Sequence, residues 1–179
     1  MRKRLLIACA VAIGALTGAV GYQHARSDVE GWREIAWPFP RDGWPEGRAF
    51  HCGAASCGDE VELYVRPKIG FCNCDSGVAD DDEVDRVADL DLISEQFVPL
   101  QAGHVIRVAD MSGRLRAYDL NMPDGSRHAA VGIAVSHRCD LLVAAAQGNG
   151  DASGVQRVAL DFLGSGRMQQ WMTAAMDGR

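Results

Sequence analysis

Residues 104–147, HVIRVADMSGRLRAYDLNMPDGSRHAAVGIAVSHRCDLLVAAAQ, decide the fold. Through HVIRVADM and RLRAYDL, polar and apolar residues alternate with a period of two, the pattern of strands with one buried face. RHAAVGIAV and DLLVAAAQ are almost continuously apolar, which places them mid-sheet with both faces covered. Met111-Ser112-Gly113, Asn121 to Gly125 and Ser136 to Cys139 separate the four runs, and connections this short force antiparallel neighbours. The expectation is an antiparallel meander.

On its C-terminal side a Gly-rich loop, Gln147 to Gly154, precedes Val155, Val158, Ala159, Phe162 and Leu163 at helical spacing. After Gly164-Ser165-Gly166 a second helical stretch carries Met168, Trp171, Met172 and Ala175. These apolar faces suit packing on the sheet, which needs a cover. On the N-terminal side, Glu60 to Val65 and Ile69 to Cys72 read as short strands broken at Arg66-Pro67. Asp80 with Glu83 three residues on reads as the N-cap of a helix through Val84, Val87, Ala88 and Leu92. The expected fold is α+β: an antiparallel meander with helices packed on one face.

Residues 31–50, GWREIAWPFPRDGWPEGRAF, carry five aromatics among three prolines. Proline at this density excludes helix and interior strand, so the stretch is expected to run extended over the domain and bury its rings. Trp37 and Trp44, if exposed, would form a platform for a glycan or peptide.

Met1-Arg2-Lys3-Arg4 followed by the uncharged run Leu5 to Gly21 is an export address. Basic residues stay cytoplasmic while the apolar segment enters the membrane. Ala19-Val20-Gly21 offers small residues for cleavage before Tyr22; uncleaved, residues 5–21 would associate the protein with the membrane. Cys9 imitates a lipoprotein box but has too short an apolar run ahead of it. The expected organisation is a signal peptide or anchor over 1–21, a tether over 22–31 and one extracytoplasmic domain over 32–179, in the periplasm or anchored at the inner membrane.

Outside the cytosol disulfides are the default for Cys52, Cys57, Cys72, Cys74 and Cys139. That number is odd, so one stays unpaired. A bridge between Cys72 and Cys74, one residue apart, would be strained. Of the roughly fifteen two-bridge patterns five cysteines allow, sequence alone does not choose; Cys139, in a turn at one end of the meander, is expected to pair with one of these two, and Cys52 and Cys57 could close a small loop of their own. The competing reading is a Cu or Zn site from Cys52, Cys57, Cys72 and Cys74, with His51 and His137 beside cysteines. Its C-x4-C and C-x-C spacing is not that of a zinc ribbon. A third reading makes His137 and Cys139 base and nucleophile of a thiol enzyme or hydrolase, without the C-x-x-C of an exchanging dithiol.

The acids Asp75, Asp80 to Glu83, Asp85, Asp89 and Asp91 invite calcium, but not at EF-hand spacing; a solvated, dipole-matched helix start accounts for them. His104 and His128 open strands and read as ordinary surface residues. No Walker loop, G-x-G-x-x-G, G-x-S-x-G or H-E-x-x-H occurs in the sequence. With 179 residues and a net charge of −6, no nucleic-acid footprint is expected. The reading is an exported, disulfide-stapled accessory module, non-enzymatic, binding a protein or cell-envelope component, with no cofactor expected.

Overall fold

The computed structural model describes residues 31–70 and 74–177. Residues 1–30, expected to be a signal peptide or anchor and a tether, and Cys72 lie outside them, and so do the expectations placed there. Among the described residues no helix is long and apolar enough to cross a membrane.

Eight strands of the described residues form one antiparallel sheet: β1 (Trp32–Ile35), β2 (Arg48–Cys52), β3 (Val61–Lys68), β4 (Phe97–Pro99), β5 (His104–Val108), β6 (Met111–Asn121), β7 (Arg127–His137) and β8 (Asp140–Gly148). Their order is β1-β2-β3-β8-β7-β6-β4, and β5 also pairs with β6. The expected meander is β5 to β8, with its two apolar runs interior. Its first turn comes earlier than expected. Val108 pairs with Met111, so Ala109-Asp110 makes the turn and Met111 to Gly113 belong to β6. Ala109 takes φ 54° and Arg138 φ 57°, left-handed backbone that matches a two-residue hairpin to the twist of its strands.

The early strands depart further from expectation. Arg48 to Cys52, at the end of the proline-rich stretch, forms an interior strand between β1 and β3. Pro38, Pro40 and Pro45 all fall in the connection, so their exclusion of strand never reaches the pairing residues. Nor does Arg66-Pro67 break β3, which pairs with β8 from Val61 to Lys68. The reason is local: β2 begins opposite Val65, so Pro67 lies where β3 is an edge on that side and needs no amide donor.

Among the described residues five helices complete the fold: α1 (Ala54–Cys57), α2 (Asp81–Val87), α3 (Leu90–Ile93), α4 (Ala152–Leu163) and α5 (Gly166–Asp177). The expected cap forms, with Asp80 accepting from Glu83 N–H at 3.0 Å, and Asp151, not singled out from the sequence, caps α4 by accepting from Gly154 N–H at 3.0 Å. The helices do not share one face. Strand pairing puts Tyr64, Tyr118, Ala130, Ala134, Val143 and Ala145 on one side, where α2 and α3 bury Val84, Val87, Ala88 and Leu90 against them. Gly132 lies beneath this contact; a Cβ there would meet Ala88 Cβ at 2.8 Å. The opposite side carries Val61, Leu63, Val65, Val131, Ile133, Ala144 and Ala146, buried under α4 and α5. Trp32 stacks on Phe162 there at 4.4 Å between ring centroids. A strand that is apolar at every position has two faces to bury, and β7 and β8 therefore require helices on both.

Among the described residues two disulfides close, Cys52–Cys57 and Cys74–Cys139. The first ties the end of β2 to α1. The second joins the segment after β3 to the β7–β8 turn.

Candidate functional site

The face that holds α2 and α3 is left by them over β2 and β3, and the proline-rich arm crosses it there. Trp37 and Trp44 are half-buried. Trp37 meets Phe39 and Tyr64 edge-on at 5.3 and 6.2 Å, and the Arg66 guanidinium lies 5.8 Å from its centroid. Lys68 Nζ lies 5.7 Å from the Trp44 ring. The two rings named as a platform are engaged in holding the arm down.

Beneath the arm runs a buried ion-pair system. Arg66 donates to Asp42 from Nη1 and Nη2 at 2.9 and 2.7 Å, and to Asp89 from Nε and Nη2 at 2.7 and 2.9 Å. Lys68 Nζ donates to Asp89 Oδ1 at 2.6 Å and to the Val87 carbonyl at 2.9 Å. Two cations of the sheet thus hold one carboxylate of the arm and one of the α2–α3 junction. The Arg66 hydrogen bonds pull the Asp42 carboxyl down from 3.8 to about 2. Asp81 and Asp85 do the equivalent for α2. Asp81 accepts from Arg114 Nη2 at 2.6 Å and Gly103 N–H at 2.8 Å; Asp85 accepts from Arg116 at 2.7 Å and Tyr118 Oη at 2.5 Å. Asp81, which receives the Gly103 amide and the Arg114 guanidinium, also titrates below its ordinary range. Asp81, Asp85 and Asp89 are therefore spent on arginine and lysine of the sheet, while Asp80 and Asp82 stay exposed at the helix start, where an acidic first turn matches the dipole.

A carboxylate with a lowered pKa stabilises the fold above its unfolded value and loses that contribution as pH falls through the folded one. For Asp42 the window lies between about pH 4 and about pH 2. Acid titration of the protein should release the arm in that window. Tryptophan fluorescence from Trp37 and Trp44 is expected to change there, and Asp42→Asn, which has no carboxyl to protonate, should remove the change from that window. An unshifted transition in that variant would show that Asp42 does not anchor the arm.

At the other end of the same face lies a row of hydrogen-bonding side chains. Strand pairing sets Arg33 opposite His51, His51 opposite Glu62 and Glu62 opposite Gln147, so four neighbouring strands each contribute one. His51, Glu60, Glu62, His128, Gln147, Gly148 and Asn149 line a pocket of about 210 Å³ there. Glu62 Oε2 accepts from Tyr64 Oη at 2.5 Å and from Gln147 Nε2 at 3.1 Å. Gln147 Oε1 lies 3.0 Å from His128 Nδ1. Burial, and then the Glu62 carboxylate, push the Tyr64 hydroxyl above its ordinary range, so the phenol stays a donor. His51 Nε2 meets Glu60 Oε2 at 2.6 Å, and the other Glu60 oxygen accepts from Ala54 N–H at 3.2 Å. The Cys52–Cys57 loop, which contains Ala54, thereby sets the wall of the pocket.

His128, read from sequence as an ordinary strand residue, and Glu62 and Gln147, not singled out at all, are the members that reasoning on sequence missed. A signal existed: Gln147 is the one polar side chain ending the apolar run LLVAAA, and a buried amide requires partners.

The structure does not assemble the other sequence-based sites. Cys52, Cys57 and Cys74 are bonded to other sulfurs, and a disulfide sulfur is not a thiolate ligand. No group of three or more His, Cys, Asp or Glu side chains among the described residues is placed to hold a metal ion. Cys139 is bonded to Cys74 and is no nucleophile in this form. His137 Nε2 is 3.5 Å from Asp177 Oδ1, and His104 Nε2 is 3.5 Å from Gln156 Nε2. No protein-family model matches this sequence, and the search of curated proteins finds no match.

Proposed function

We propose that the chain is an exported, non-enzymatic binding module, periplasmic or held at the membrane by residues 5–21, whose ligand pocket is the row His51–Glu62–Gln147 with His128. The observation that supports it most is how the row is held. Glu62, Gln147 and His128 sit on paired strands, each oriented by a hydrogen bond to the next, and His51 is held by Glu60, so the pocket's polar groups are fixed before any ligand arrives. The two disulfides agree with a module that works outside the cytosol. The partner class is a protein or cell-envelope component presenting polar groups to this pocket.

Two measurements test it. Intact mass of the exported protein under native, non-reducing conditions should show two bridges and no metal adduct. A copper or zinc adduct whose removal frees several thiols would overturn the module reading in favour of metal handling. Titration of isotope-labelled protein with soluble envelope fragments should perturb resonances of Glu62, His128 and Gln147. Perturbation confined to other parts of the surface would remove the pocket from the proposal.

A further inference from the structure

We propose a second interaction surface, separate from the pocket: the outer edge of β5 takes up one extended segment of a partner protein, which sets a carboxylate opposite Arg107 and apolar side chains opposite Ile106 and Val105. Alternation along β6 shows which backbone groups this edge leaves open. Leu100 N–H donates to the Ala117 carbonyl and Asn121 N–H to the Gln96 carbonyl, both at 2.9 Å, so the odd-numbered residues of β6 bond towards β4 and β5. Met111, Gly113 and Leu115 then bond to Val108, Ile106 and His104, their register partners. The N–H and C=O groups of Val105 and Arg107 point outward from the edge.

Most of the remaining edge is closed. Pro99, opposite the even-numbered Tyr118, also faces outward and has no N–H to offer. The Gln101 carbonyl accepts from Arg116 Nε at 3.1 Å, and Gly103 spends its N–H on Asp81 at 2.8 Å and its carbonyl on Arg114 at 3.1 Å. At the other edge of the sheet the side chains of β1 are engaged, Trp32 on Phe162 and Glu34 with Arg48 at 2.8 Å. On β5 they are not. Val105 is 71 % exposed, and Arg107, also exposed, reaches only Ser112 Oγ at 3.4 Å and has no carboxylate partner among the described residues. Arg114 and Arg116, on the same face, each hold one. An open strand edge is a template for a further strand, and beside this one stand an uncovered apolar side chain and an uncompensated cation.

A second copy of the chain does not supply the missing charge. β5 reads HVIRV and carries no acid. In the antiparallel registers that join open groups, Arg107 of one copy falls opposite Arg107, Val105 or Gly103 of the other, and the Gly103 amide and carbonyl are already taken. The occupant is therefore a segment of different sequence. Residues opposite each other share a face of the sheet, so an antiparallel segment presents, from its N-terminal end, an acid and then two apolar residues.

The test uses the oxidised full-length protein, isotope-labelled, and the capped peptide Thr-Glu-Val-Ile-Thr. Binding should shift the resonances of Val105, Ile106 and Arg107 and slow hydrogen exchange of the Val105 and Arg107 amides, which in the free protein should exchange faster than the Ile106 amide. N-methylated peptides separate strand pairing from apolar contact. A methyl on the glutamate or isoleucine nitrogen, which bonds to β5, should weaken binding about tenfold or more, whereas one on the valine nitrogen, which points away, should not. Lysine in place of the peptide's glutamate should weaken binding to the unaltered protein and improve it to Arg107→Glu. Val105→Pro removes one outward N–H and none of the bonds to β6, so it should fold and lose the peptide; if it does not fold, the charge exchange at Arg107 decides. Equal weakening by all three N-methyl groups, or no shift at these residues with about 1 mM peptide, would overturn the proposal. A dimer that protects the same two amides without peptide would assign the edge to a second copy and overturn the partner reading.

Discussion

Replacing Asp89 by alanine is expected to destabilise the protein by about 3 to 5 kcal/mol, the cost of removing one partner from a buried ion pair. Asp89 is 12 % exposed, and the Arg66 and Lys68 side chains it holds are 3 % and 6 % exposed. Both cations are already desolvated in the folded state, and the variant keeps that penalty while losing the carboxylate they share. A net positive charge is then left between the sheet, the arm and the α2–α3 junction. Asp89 also stands at φ 61°, which alanine tolerates less well than aspartate or asparagine. Asp89→Asn separates the two causes, because asparagine accepts the left-handed backbone but not the ion pair. Most of the loss is expected to persist in Asp89→Asn. In a Lys68→Met background the loss should be smaller, since one of the two cations is gone. Urea denaturation of the unaltered protein, Asp89→Ala, Asp89→Asn, Lys68→Met and the Lys68→Met/Asp89→Ala double variant provides the measurement. A loss under about 1 kcal/mol for Asp89→Ala would mean that water reaches these charges in solution and that the network is a surface feature.

The same network shows which parts of this molecule were legible in sequence. The four meander strands, the two C-terminal helices and the capped helix after Asp80 were readable because each signal is local: a period of two, a period near 3.6, a cap at fixed offset. What escaped was long-range pairing. Asp81, Asp85 and Asp89 recur every four residues, one face of a helix; Arg66 and Lys68, like Arg114 and Arg116, recur every two, one face of a strand. Both patterns are plain in the chain, yet nothing local says that the one meets the other. The acids were accordingly read as solvated. The pocket escaped for a related reason, since His51, Glu62, Gln147 and His128 come together only through the pairing of β3 with β8, a contact between residues more than 80 positions apart. The helices on both faces were within reach, because the same continuous apolar runs that marked β7 and β8 as interior also demanded two covers.

Removing the Cys74–Cys139 bridge, by changing both residues to serine, is expected to cost about 4 kcal/mol, against about 2 kcal/mol for the Cys52–Cys57 bridge. The difference follows from loop length, since the first bridge spans 65 residues and the second 5. A longer loop denies the unfolded chain more conformations, and the folded state gains by that amount. The enclosed segment contains α2, α3, β4 to β7 and the carboxylates Asp81, Asp85 and Asp89, so the long bridge also holds one end of the helix layer close to the β7–β8 turn. Gly70 N–H to Asp140 at 2.6 Å fastens the same place without a covalent bond, and local attachment should therefore survive in the serine variant even as global stability falls. The two bridges are expected to differ in function in the opposite sense. The short loop carries Ala54, whose amide holds Glu60 and through it His51, so Cys52→Ser/Cys57→Ser should lose pocket binding while remaining folded. Cys74→Ser/Cys139→Ser should keep binding under conditions where it is folded, because none of the pocket residues belongs to its attachment. Denaturation midpoints and ligand titration of the two double variants test both statements together. Equal losses of stability would overturn the loop-length argument, and unchanged binding without the short bridge would show that the Cys52–Cys57 loop does not set the pocket.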